Sequence, residues 1–92
     1  MPSQLPPIAA LQAFEAIAQR RSFALAASDL GVTASAVSHQ IAKLETLVGT
    51  RLIDRSPSGV KLSAAGEQYL QRTSSALAAL ASATRDIQGG VQ

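Results

Sequence analysis

The chain has 92 residues, one histidine, no cysteine and a net charge of +2 from 8 basic and 6 acidic side chains. That length makes one small domain. The missing thiols exclude a disulfide framework and a thiolate metal site, in keeping with a reducing cytoplasm.

Hydrophobic residues make up 47% of the chain, but alanine supplies much of that share. So thin a set of large apolar side chains implies support from a partner subunit. No apolar run approaches the ~20 residues of a membrane span, and the opening MPSQLPP lacks the basic and apolar regions of a signal peptide. No membrane contact is expected, and the place of action is expected to be the cytoplasm. A single histidine and few carboxylates leave no triad, metal cluster or phosphate loop. An enzyme, a cofactor and a metal are therefore not expected. Asp29, Glu45, Asp54 and Glu67 read as helix-end charges and salt-bridge partners.

Pro6 and Pro7 suit a helix start, where their missing N–H groups would be unpaired anyway. Ile8, Leu11, Phe14 and Ile17 then recur at helical spacing, predicting an amphipathic helix over about residues 7–20. Arg20 and Arg21 adjoin its end. Ser22 caps a second, short helix that turns Phe23, Ala26, Ala27 and Leu30 inward, the two alanines allowing close helix approach. Gly31 ends it, because glycine enters the left-handed C-terminal position cheaply.

Thr33 is the next N-cap, followed by Val37, Ile41, Leu44 and Val48 at spacings of four, three and four. Val32 and Val37 occupy the two positions of a hydrophobic staple, and Gly49 closes this third helix. Two short helices broken by a Gly-containing turn make a helix-turn-helix, whose second helix is shaped for the DNA major groove. With the apolar stripe inward, the outward set is Ala34, Ser35, Ser38, His39, Ala42, Lys43 and Thr46.

Residues 51–55 and 60–62 are short and rich in branched or apolar side chains, and Ser56, Pro57, Ser58 and Gly59 between them are turn residues. They predict a two-stranded hairpin, a wing behind the recognition helix. Ser63 caps a last helix running to about Gln88. Leu70, Thr73, Leu77, Leu80, Thr84 and Ile87 alternate spacings of three and four along it, a heptad seam. At ~1.5 Å per residue this helix reaches about 39 Å, longer than the domain's own core requires. Its seam is expected to pair with another chain; folding back onto the winged domain is the competing arrangement. Gly89 and Gly90 read as a hinge. The fold class is thus mainly α: a winged helix-turn-helix over 1–62, a dimerisation linker helix over 63–88, and a hinge or cut end over 89–92.

The segments LQAFEAIAQRRSF (11–23), AASDLGVTASAVSHQIAKLE (26–45), GTRLIDRS (49–56) and VKLSAAGE (60–67) together resemble the DNA-binding domain of LysR-type transcriptional regulators. The opening LPPIAALQAFEAIA and the histidine in VSHQI resemble the subgroup of glycine-cleavage and β-lactamase regulators. The resemblance covers about residues 5–88. It implies a homodimer, or a dimer of dimers in a longer protein, that binds interrupted palindromes in double-stranded promoter DNA. It also implies a small-molecule inducer, sensed by a C-terminal domain outside this chain, which would make these residues the DNA-binding portion of a longer regulator.

The residues expected to meet DNA are Thr33, Ala34, Ser35, Ser38, His39, Lys43, Arg51, Arg55 and Lys61. Ser38 and His39 match contact positions of the family. Serine hydroxyls suit several base edges, so Ser35 and Ser38 alone discriminate weakly, whereas His39 suits a guanine acceptor or a phosphate. Arg51, Arg55 and Thr33 suit phosphates, and Lys61 joins Arg55 as a clamp flanking the wing tip. Ala34 stands where relatives frequently carry Gln, which leaves only apolar contact there. The tip itself, Pro57, Ser58 and Gly59, lacks the basic residue common in relatives, which removes the support for minor-groove insertion. The rival class is a protein-interaction adaptor, favoured by the modest charge and the uncharged wing tip. Binding to duplex DNA that weakens steeply with salt separates the two.

Overall fold

A computed structural model describes residues 4–90. Residues 1–3 of the lead segment and 91–92 of the expected hinge lie outside the described residues. The element order is α1 (Ile8–Arg20), α2 (Phe23–Leu30), α3 (Ala34–Val48), β1 (Ile53–Ser56), β2 (Gly59–Leu62) and α4 (Ala64–Gln88), which is a winged helix-turn-helix followed by a long helix.

Local chemistry sets most boundaries. Ser22 Oγ accepts from the Leu25 amide at 3.1 Å and Thr33 Oγ1 from the Ala36 amide at 3.0 Å. Ser63 Oγ accepts from the Gly66 amide at 2.9 Å. Each satisfies one of the donors that a helix start leaves unpaired. Gly31 and Gly49 close α2 and α3 in the left-handed region, with φ of 71° and 80°. Arg21, not a glycine, takes that role after α1, at φ 55°. Its amide donates to the Ile17 carbonyl at 2.7 Å and its Nε to the Ala18 carbonyl at 3.0 Å. Those bonds offset the ~1–2 kcal/mol that a Cβ costs in this conformation.

The wing starts later than the branched residues suggest. Arg51 and Leu52 precede β1, because the Leu52 amide turns back to Glu45 of α3 instead of joining the ladder. The strands pair antiparallel, Ile53 opposite Leu62 and Ser56 opposite Gly59, leaving Pro57 and Ser58 as the loop.

The core gathers Phe14 and Ile17 of α1, Val37 and Leu44 of α3, and Leu52 ahead of the wing, all essentially closed to solvent. Ala26 and Ala27 are buried where α2 nests against its neighbours. Tyr69 of α4 meets Phe14 with ring centroids 5.8 Å apart, and its desolvation raises the phenol above its ordinary pKa. Among the described residues no helix is long and apolar enough to cross a membrane.

The seam residues of α4 divide into two groups. Leu70 packs on the domain's own core and Thr73 is buried, its hydroxyl donating to the Tyr69 carbonyl at 2.9 Å. Leu77 is half-buried in a groove that Gln12 and Glu15 of α1 also line. Leu80, Thr84 and Ile87 are exposed, Leu80 at 54% and Ile87 at 71%. Folding back and projecting therefore both occur, on successive stretches of one helix.

Candidate nucleic-acid interface

With Val37, Ile41 and Leu44 buried, the opposite side of α3 faces solvent. Ala34, Ser35, His39, Ala42, Lys43 and Thr46 are exposed there, and Ser38 is half-buried at the edge nearest the wing. Thr33 caps the helix, so one of its oxygen's lone pairs is taken while its hydroxyl proton remains to be donated. The face offers small polar groups, one imidazole and one cation.

The wing distributes its basic residues by strand alternation. Ile53 and Arg55 share one face of β1, across from Leu62 and Val60, and Ile53 is buried, so this face looks toward the domain. Lys61 lies on the other face, opposite Asp54 in register. Sequence reading assigned Arg55 and Lys61 one role; the pleat sets them on opposite faces of the wing.

Arg55 is engaged in the free protein. Its guanidinium carbon lies 3.8 Å from the centroid of the Phe23 ring, and Nη2 donates to Ser38 Oγ at 2.7 Å. Arg51, Arg55, Ser38, Glu45 and Ile53 line one cleft between α3 and the wing. Arg20, at the far side, pairs with Asp29 at 3.3 Å. That pair is exposed at both ends and contributes little.

Glu45 is a residue whose role the sequence did not reveal. It reads as a helix-end charge, yet its Oε2 accepts from the Leu52 amide at 2.7 Å and the Ile53 amide at 3.0 Å. A carboxylate on α3 thereby fixes the start of the wing, and with it the angle between the wing and α3. Glu45→Ala is expected to cost about 2 kcal/mol, since two charge-assisted bonds are lost and two partly buried amides lose their acceptor. Thermal unfolding measures the loss, and a change within 0.5 kcal/mol would deny Glu45 this role.

Gly66 is a second such residue. It lies in the first turn of α4, buried against the Leu52 backbone. A glycine inside a helical pattern is the only sequence signal for such a close approach.

Comparison with known proteins agrees with this architecture. The sequence model of the bacterial regulatory helix-turn-helix protein, lysR family, matches residues 8–67. The glycine cleavage system transcriptional activator of Escherichia coli (strain K12) is 40% identical over 88 residues, covering 96% of this chain and 29% of the activator. The chain therefore spans under a third of that relative's length. An OxyR mutant from Corynebacterium glutamicum superposes with a TM-score of 0.91 at 32% identity, covering 99% of this chain and 29% of OxyR. The CbnR DBD–DNA complex superposes at 0.82 with 28% identity, covering 90% and 95%.

Proposed function

The chain belongs to the lysR family of bacterial regulatory helix-turn-helix proteins and carries its DNA-binding domain; from that premise we propose that it reads promoter DNA as a homodimer. The exposed face of α3 carries the reading. It is small, polar and rigidly capped, and it stands beside an arginine-lined cleft. Placed in a major groove, Ser35, Ser38 and His39 reach base edges while Ala34 touches a thymine methyl. Thr33, Arg51 and Lys43 meet flanking phosphates, and Arg55 and Lys61 approach from the wing.

The exposed stretch of α4, with Leu80, Thr84 and Ile87, pairs with a second copy, the half-buried Leu77 standing at its inner edge. The pair sets two recognition helices over successive major grooves of an interrupted palindrome. Residues 1–62 then serve as the reading unit and 63–88 as the linker. A small-molecule inducer and a tetramer belong to the longer protein implied by the relatives' length. The role is regulatory and non-catalytic, exercised in the cytoplasm. Because α3 offers no side chain suited to a bidentate adenine contact at Ala34, the shape and deformability of the site supply much of the specificity.

His39→Ala tests the reading on duplexes first selected from a randomised library by the unmodified chain. The expected loss on the selected site is about 1 kcal/mol, near fivefold, with a smaller loss on random DNA. Equal losses on both would make His39 a phosphate contact. Binding of the unmodified chain should also weaken steeply with salt, and no binding to any duplex at low salt would favour an adaptor.

A further inference from the structure

The contacts of Arg55 bear on which base edge Ser38 reads. A guanidinium has five N–H donors and no acceptor. The 2.7 Å bond between Arg55 and Ser38 therefore runs one way, into a lone pair of Ser38 Oγ. The hydroxyls of Thr73 and Thr84 donate back to carbonyls of their own helix. Among the described residues no hydrogen bond takes the Ser38 proton in that way. A hydroxyl that accepts from a cation is polarised: its proton becomes the stronger donor and its remaining lone pair the weaker acceptor. The cation itself is held in place by the Phe23 ring beneath it, 3.8 Å from the centroid.

We propose that Phe23, Arg55 and Ser38 form a specificity relay: Phe23 seats Arg55, Arg55 orients Ser38, and Ser38 reads one base edge chiefly as a donor. The relay rests on the DNA-binding reading above and refines the part that Arg55 plays in it. Arg55 is a positioning residue here. In the major groove guanine, adenine and thymine each offer an acceptor to such a hydroxyl, while cytosine offers only its N4 donor. One position in each half-site therefore disfavours cytosine on the strand facing α3.

Selection from a randomised duplex library tests this, using the unmodified chain, Ser38→Ala, Arg55→Met and the double variant. Methionine keeps an apolar stem on Phe23 but has no donor, and the position is exposed, so folding is not at stake. The unmodified chain should deplete cytosine about fivefold at one position per half-site. Each single variant should erase that depletion at the same position, and the double variant should do no more. Arg55→Met that weakens all sequences equally, flattens the log–log salt slope by about 0.9 and leaves cytosine depleted would overturn the relay and make Arg55 a phosphate clamp. Ser38→Ala that changes no position would overturn it as well. These outcomes arise only when the unmodified chain binds duplex DNA. Its failure to bind would sink the DNA-binding reading and the relay with it, so the two failures are told apart. In the free protein, proton NMR should show ring-current shifts on the Arg55 side chain that Phe23→Leu removes; unshifted Arg55 protons would overturn the seat.

Discussion

Replacing Gly66 with alanine should destabilise the domain by about 2–3 kcal/mol, a fall of roughly 10–20 °C in Tm for a chain of this size. At an ordinary helical glycine the same change would stabilise by up to about 1 kcal/mol, because alanine loses less backbone entropy. The sign is decided by one neighbour. A Cβ on Gly66 would collide with the carbonyl oxygen of Leu52. That carbonyl is not free to retreat, since it accepts from the Ser63 amide at 3.0 Å. Ser63 is held in turn, its hydroxyl donating to the Arg51 carbonyl at 2.7 Å and capping α4 through the Gly66 amide. Relief must come from moving α4 away from the start of the wing. The glycine therefore fixes the distance between α4 and the start of the wing. A variant of unchanged or raised Tm in thermal unfolding would show that this junction is soft.

Leu80→Asp should abolish dimerisation while leaving the fold of each chain intact. Leu80 is 54% exposed in the single chain, so an aspartate there costs the isolated domain almost nothing. In a two-fold dimer each substitution counts twice, and two carboxylates enter an apolar seam with no partner. A loss of about 3 kcal/mol in the dimer, over 100-fold in its dissociation constant, is expected. Affinity for a two-half-site duplex should fall with it. Leu77 gives a less clean test, because it is half-buried in the single chain and its replacement also strains the fold. Sedimentation equilibrium showing an intact dimer of Leu80→Asp would refute pairing through this stretch of α4.

The elements that sequence pattern located well are those whose cause is local. Ser22, Gly31, Thr33, Gly49 and Ser63 mark helix ends through bonds to atoms within a few residues, or through φ values only glycine adopts readily. The burial of Val37, Ile41 and Leu44 follows from a 3.6-residue period that every helix imposes. Arg21 is the exception among the caps, a left-handed residue with no sequence signal. The wing is visible as a hairpin, but its first strand starts at Ile53, because Glu45 captures the amide of the preceding Leu52.

By itself, then, the sequence determined the helix-turn-helix, its caps, the presence of a wing and the outward face of α3, all written in short-range periodicity and capping. Tertiary structure alone decided that Arg55 lies on Phe23 and bonds Ser38, that Glu45 holds the wing, and that Gly66 meets Leu52. It also divided the seam, with Leu70 and Thr73 turned into the domain and Leu80, Thr84 and Ile87 left outside. A heptad pattern marks one continuous stripe on a helix without specifying what covers each part of it. That depends on where α1 ends its contact with α4, and only the folded arrangement of the two helices settles it.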